Sequence, residues 1–297
     1  MITNKHNLPK VFENFARSNE YSRGESDISV TSLIDSPQIF KLKESNRDKL
    51  DLDVSDQIFS ILGTAVHSIL EASASDDCIV EERIFHKIKH PSGKQIVISG
   101  AVDLREKCPD CGDGWIVSDY KTCTVNTVRY AKEGKPEWEK QLNCYAYLLR
   151  SERKQKICGL RIIALCRDWS AQKATIAGNP ETPIVTIEIP MWNQDQAIRF
   201  VQERISEHLK EDSICSPADR WMRPGKYAVM REKRATAVKL FQTEEDANEY
   251  LPQLRGGGYY VQYRESQNIR CMNNYCEVSA YCKQWSDMKE ALGDSNE

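Results

Sequence analysis

No stretch of this sequence is apolar for long enough to cross a bilayer. Its longest apolar segment, residues 58–70, is interrupted by Ser60, Gly63, Thr64 and His67, whereas a membrane helix needs about 18 or more apolar residues in a row. The N-terminus, MITNKHNLPK, has no apolar core of a secretory leader, so the expected compartment is the cytoplasm. Charge of one sign is also missing. Forty-one Lys and Arg face 44 Asp and Glu, a net charge of −3, so no global positive field marks a nucleic-acid binder and local charge must decide that question. Gly-x-Ser-x-Gly, the phosphate-binding P-loop and Gly-x-Gly-x-x-Gly are absent, which removes three common enzyme classes. There is no repeat and no low-complexity tract. Cysteine, by contrast, is plentiful. Eleven, an odd number without a leader, indicate reduced thiols, some holding metal, rather than a disulfide scaffold.

A 40% hydrophobic share over 297 residues is enough to bury a substantial core. Residues 1–28 read as a polar N-terminal segment containing a loop at 18–27. Ser29 or Thr31 caps a helix to about Lys43, which Pro37 interrupts or restarts. Asp53 or Ser55 caps a second helix to about Ala74. There Ile58, Ile61, Leu62, Ala65 and Ile69 form an apolar stripe at spacings of three and four, while Ser60, Gly63, Thr64, His67 and Glu71 share another face. Three β-rich segments follow, Cys78 to Ile88, Gln95 to Leu104 and Trp115 to Lys121, separated by turn signals that predict an antiparallel meander. A helix over 136–153, strands at 160–167 and 184–189, and a helix over 193–210 complete a core at 29–212. The predicted fold is α/β, a central mixed sheet flanked by helices, followed at 213–297 by a small α+β metal-binding subdomain. Within that subdomain Tyr227 to Met230 and Ala237 to Phe241 form a hairpin, Thr243 caps a helix, and Tyr259 to Tyr263 form a last strand.

The segment Trp115 to Thr122 carries Asp119-Tyr120-Lys121. Acid-x-Lys triplets also occur at Glu133/Lys135, Glu152/Lys154 and Asp287/Lys289, but only Asp119 and Lys121 end a predicted strand, where a two-residue period puts both side chains on one face. If the preceding strand pairs with it, Asp103 comes near Asp119. Two converging carboxylates suit a hard divalent cation, and His67 can supply a third ligand, which favours magnesium or manganese over calcium. Lys121 would then orient or deprotonate the attacking water. Glu71, one turn beyond His67, is a candidate to support the site from behind His67 or else faces solvent, the latter favoured.

Taken in order, Gly63-Thr64-Ala65-Val66-His67, Gly100-x-x-Asp103, Asp119-Tyr120-Lys121 and Gln141-x-x-x-Tyr145 resemble the four motifs of the RecB-type branch of the PD-(D/E)XK nuclease superfamily. The N-terminal Ser29-Val-Thr-Ser-Leu-Ile-Asp and the segment from Cys215 to Trp221 resemble phage-encoded exonucleases of that branch. The resemblance implies a restriction-endonuclease-like core and a magnesium- or manganese-dependent DNA exonuclease of recombination, repair or processing, with a recombination or replication protein as a partner. It assigns metal ligation to His67, Asp103 and Asp119, catalysis to Lys121, and active-site or DNA contacts to Gln141 and Tyr145. The alternative is a catalytically silent DNA-binding clamp on the same fold, against which the intact Asp103, Asp119 and Lys121 argue.

Cys271, Cys276 and Cys282 place three soft ligands in an otherwise polar segment, suited to an iron-sulfur cluster or zinc. In RecB-type iron-sulfur nucleases the fourth cysteine precedes a proline far upstream. Here that position is Ser36-Pro37, so Cys215 is the substitute, and the resemblance favours a 4Fe-4S cluster with zinc as the alternative. Cys108-Pro-Asp-Cys111-Gly has the shape of half a zinc ribbon, but no second pair follows it at suitable spacing. Cys78, Cys123, Cys144, Cys158 and Cys166 lie among apolar residues and are expected in the core. Finally, Arg220, Arg223, Lys226, Arg231, Lys233, Arg234 and Lys239, interleaved with Trp221 and Tyr227, are a candidate DNA-binding surface.

Overall fold

A computed structural model describes residues 2–18, 24–75, 77–132, 134–273 and 275–293; positions 19–23 of the expected N-terminal loop lie outside the described residues. The chain divides into two compact units, Met1–Pro37 with Asp48–Ser213 and Gln38–Arg47 with Ile214–Glu297.

The first unit is built on the meander β1 (Cys78–Lys89), β2 (Gln95–Lys107) and β3 (Trp115–Cys123). The β1–β2 turn closes at Gly93, whose φ of +87° suits a residue without Cβ, and the two strands pair antiparallel from Cys78↔Glu106 to Lys89↔Gln95. β3 runs antiparallel to β2, then parallel to β4 (Ile157–Cys166), which pairs antiparallel with β5 (Ile184–Glu188). The sheet is therefore mixed, in the order β1-β2-β3-β4-β5, with the short strand Ile28–Ser29 lying parallel beside β2. The parallel β3–β4 pair requires a crossover, supplied by a short helix at Val125–Tyr130, not anticipated from the sequence and capped by Thr124, and by the long helix at Pro136–Glu152.

Other helices form where caps and periodicity place them. Ser29 caps α1 (Val30–Ile34) by accepting from Ser32 N, and Pro37 opens α2 (Pro37–Ser45) at a first-turn position where its missing N–H costs nothing. Asp53 caps a short 3-10 turn that leads into α3 (Ile58–Ala72). The crossover helix is α4 (Pro136–Glu152), and α5 (Gln194–Leu209) starts with a capping box between Asn193 and Gln196. Leu142, Leu148 and Leu149 of α4 are fully buried, as are Ile84, Ile98, Val102, Val117 and Ile162 of the sheet. Each such side chain contributes roughly 1.5–3 kcal/mol of burial.

The α3 stripe does not face the core: Ile58, Leu62, Ala65 and Ile69 are exposed, and no α3 residue is fully buried. The helix instead turns in Gly63, Val66, His67 and Leu70, because His67 pairs with carboxylates on the sheet and stands edge-on to the Tyr120 ring, 5.8 Å between centroids.

In the second unit, β6 (Lys226–Arg231) is the centre of an antiparallel sheet between β7 (Lys239–Phe241) and β8 (Tyr259–Arg264). Thr243 caps α6 (Glu244–Tyr250), whose first turn is acidic, as the helix dipole favours. Helix α7 (Lys283–Gly293) follows the cysteine-bearing segment. Most of α2, from Gln38 on, belongs to this unit: the Gln38 side chain accepts from Cys215 N at 2.6 Å, and Lys43 pairs with Glu277 at 3.1 Å.

Candidate active site

The β2–β3 ladder ends at Leu104↔Ser118. Asp103 and Asp119 are the next residues along, where the strands splay. The freed Tyr120 N–H donates to Asp103 Oδ2 at 2.8 Å, so the carboxylate takes up a backbone donor that the sheet no longer pairs. Both acids are deeply buried, Asp103 at 6% exposure and Asp119 at 1%. Burial, reinforced by the neighbouring Asp119 charge, pushes the Asp103 carboxyl up to about 7.

Lys121 shares a face with Asp119, as the period-two reading requires, and its Nζ lies 2.6 Å from Asp119 Oδ2. Gln141 of α4 donates to Asp119 Oδ1 at 3.0 Å and to the Tyr145 hydroxyl one turn on, at 2.8 Å. Tyr145 is buried against β2 because Gly100 leaves room for it; a Cβ at position 100 would stand 2.8 Å from the ring. The glycine of Gly100-x-x-Asp103 thus serves ring packing beside the acids.

His67 reaches the same place from α3, with Nε2 3.7 Å from Asp103 Oδ2. Its Nδ1 meets a residue the sequence reading overlooked, Glu81 of β1, whose Oε1 is 2.8 Å away. That hydrogen bond raises the His67 pKa. Glu81 falls opposite Asp103, between the pairs Val80↔Leu104 and Glu82↔Val102, and holds a left-handed φ of +47°. Such a backbone is costly for a non-glycine residue and is often found at functional sites. The β1–β2 register, which follows from the hairpin turn, was the sequence signal that could have found it.

His67, Glu81 and Asp103 have donor atoms all within 4.8 Å of one another. Asp119 stands beside them, turned to Lys121 and Gln141. Three carboxylates and one imidazole, two of the acids buried and repelling each other, fit a hard divalent cation, whose charge would relieve that repulsion. His67, Glu81, Asp103 and Asp119 are the residues that would hold it. Glu71 is exposed, as expected.

In the second unit Cys215, Cys271, Cys276 and Cys282 line one cavity together with Arg220, Gln284 and Trp285. Gln284 brackets Cys215, accepting from its N–H and donating to its carbonyl, both at 2.9 Å, and Gln38 lies 3.5 Å from Cys282 Sγ. Burial raises the thiol pKa of Cys271 and Cys276. Of the basic residues, Arg223, Arg231, Lys233, Arg234 and Lys239 are exposed and Lys226 is half-buried. Arg231 lies over Tyr259 and Lys239 over Phe241 and Tyr250. Arg220 departs from this group: it is half-buried at the cysteine cavity, donating to Ser216 O and the Met288 sulfur.

The remaining cysteines divide differently from expectation. Cys123, Cys144 and Cys166 are buried, and burial pushes Cys144 up to about 12. Cys78 and Cys158 are only half-buried, because each sits where its strand leaves the core, Cys78 at the first residue of β1 and Cys158 at an irregularity of the β3–β4 pairing.

The family description of the PD-(D/E)XK nuclease superfamily matches residues 76–283, a span that contains Glu81, Asp103, Asp119, Lys121, Gln141 and Tyr145 but not His67. No curated protein matches the chain. Among solved structures, the crystal structure of SSO0001 superposes with a TM-score of 0.46 at 18% identity, covering 70% of this chain and 87% of that one.

Proposed function

Because the chain belongs to the PD-(D/E)XK nuclease superfamily, we propose that its site hydrolyses DNA phosphodiester bonds with magnesium or manganese, acting from DNA ends as an exonuclease of the RecB-type branch. The observation that carries this reading is the Asp119–Lys121 pair, 2.6 Å apart at the splayed strand end, beside the His67–Glu81–Asp103 donor group. A divalent cation held there supplies positive charge beside the scissile phosphate.

The chain's own residues do the remaining work. Asp103 is oriented by the Tyr120 N–H and Asp119 by Gln141, so neither carboxylate must reorganise when the phosphate arrives. Lys121, half-buried and anchored on Asp119, presents its ammonium to the attacking water and orients it toward phosphorus. The Tyr145 hydroxyl fixes the Gln141 amide. The exposed cations of residues 223–239 contact the phosphate backbone without regard to sequence. Cutting from ends and a place in phage or bacterial recombination or repair rest on the motif resemblance alone.

For the cysteine cavity we favour a 4Fe-4S cluster over zinc. The four cysteines line one cavity, and the choice of metal rests on the resemblance to RecB-type iron-sulfur nucleases. Protein purified without oxygen should be brown, with broad absorbance near roughly 400 nm; colourless protein carrying stoichiometric zinc would overturn the cluster.

The test of the activity is incubation of the full chain with end-labelled linear and closed circular DNA, with and without magnesium or manganese. Degradation of linear DNA alone, only with metal, is the expected result. Nicking of the circle would make the protein an endonuclease, and binding without cleavage under either metal would make it a clamp.

A further inference from the structure

The loop joining β2 to β3, Cys108-Pro-Asp-Cys111-Gly-Asp-Gly114, has no part in the hydrolytic site, yet its construction is specific. Cys108, Cys111 and Cys158 have sulfur atoms all within 4.8 Å of one another, and Cys111 Sγ lies 3.0 Å from Cys158 Sγ, well beyond the roughly 2.05 Å of a disulfide. We propose that Cys108, Cys111 and Cys158 form a zinc site that clamps the tip of the β2–β3 hairpin to the start of β4.

Three independent features of the backbone converge on it. The first is in β4. The β3–β4 ladder passes from Trp115↔Ile157 directly to Ile116↔Gly159, so Cys158 is the unpaired residue of a bulge, a device that re-aims a side chain out of the strand's alternation. The second is in the loop. Gly112 turns the chain with φ +68° while its N–H bonds to Cys108 O at 3.0 Å, and the Cys108 N–H closes the loop on Gly114 O at 2.9 Å. The third is Gly114, where a Cβ would overlap Cys158 Sγ and stand 2.9 Å from Cys111 Sγ. Glycine leaves the space that the sulfurs occupy.

Thiolate ligands select a soft or borderline cation, and a C-x-x-C turn with a remote third cysteine suits tetrahedral zinc. The sulfurs need only small side-chain rotations to reach the spacing of about 3.8 Å that zinc requires. The fourth position opens to solvent at the exposed Cys111. Asp113, whose N–H donates to Cys111 O at 2.8 Å and whose carboxylate pairs with Lys156 at 2.9 Å, borders it. The ion would fix a loop otherwise rich in polar residues and glycine, where few apolar contacts can do so.

The full chain, expressed with added zinc and freed of loosely bound metal, should carry zinc that Cys111→Ser and Cys158→Ser each lose by about one equivalent, while Cys123→Ser keeps it. Should a serine variant misfold, wild-type protein provides the second readout. Cys111, although exposed, should resist alkylation until a zinc chelator is added, as mass spectrometry of its peptide can follow. Wild-type zinc content in Cys158→Ser, equal alkylation of Cys111 with and without chelator, or recovery of Cys111 and Cys158 as a disulfide would overturn the proposal.

Discussion

One hairpin of the first unit carries two donor clusters of opposite chemistry, and each is shaped by a different way of leaving the sheet. At the tip, sulfur donors from the Cys108–Gly114 loop meet Cys158, which a bulge has displaced from β4. At the splayed end, oxygen donors from β1, β2 and β3 meet His67, and their places follow from strand register alone. The carboxylates are held by a backbone N–H and an amide on a buried helix; the thiols are held by a turn and by the space a glycine leaves. Rigid surroundings suit groups that must repel one another until a cation arrives. A looser loop suits donors whose ion itself supplies the order.

The largest effect that could break this comparison lies at the splayed end. Asp119→Ala or Lys121→Ala should lower cleavage at least about a hundredfold while DNA binding persists, since each removes charge needed in the transition state. Asp287→Ala, from an acid-x-Lys triplet outside the site, should cleave normally; steady-state rates and a binding isotherm on the same preparations decide it. Next comes Glu81→Gln, expected to weaken manganese affinity by roughly 10- to 100-fold, read by calorimetry. A wild-type isotherm would return Glu81 to a mere partner of His67.

Gly100→Ala probes the rigidity claimed for the oxygen cluster. With a methyl 2.8 Å from the Tyr145 ring, denaturant melts should show a loss of about 1–3 kcal/mol. The smallest change is expected in the second unit: replacing Arg231, Lys233 and Arg234 with Ala should weaken DNA binding across sequences and flatten its salt dependence, with little change in rate at saturating DNA. An unchanged salt slope would leave these residues as solvated surface charge.

Much of this arrangement could be read from sequence because its signals are local. Asp119 and Lys121 share a face through a period of two, Gln141 and Tyr145 share one through a helical turn, and Ser29 and Thr243 cap helices at the positions their chemistry suggests. What escaped depends on pairing between distant segments. Glu81 joins the site only once the β1–β2 register is fixed, and Cys158 reaches Cys111 only through a parallel ladder formed after a long crossover. The orientation of α3 escaped for a related reason. Apolar periodicity names a face, but the pull of Glu81 and Asp103 on His67 decided which face turned inward.

The central claim is that Asp103 and its neighbours form a site waiting for a divalent cation. Burial and the Asp119 charge raise the Asp103 carboxyl from its ordinary 3.8 to about 7 in the folded state, so its proton favours the folded state. That stability is present below about pH 4 and is lost as pH rises through about 7 in metal-free protein. A cation competes with the same proton, and with the proton on His67, whose pKa is also raised beside Glu81. Manganese binding to the full chain without DNA, followed by electron paramagnetic resonance from pH 5.5 to about 8.5, is the direct measurement. Affinity should climb through about pH 7 in the wild type and fall sharply in Asp103→Asn. Equal affinity in the two proteins, or a wild-type affinity that does not change with pH, would contradict it.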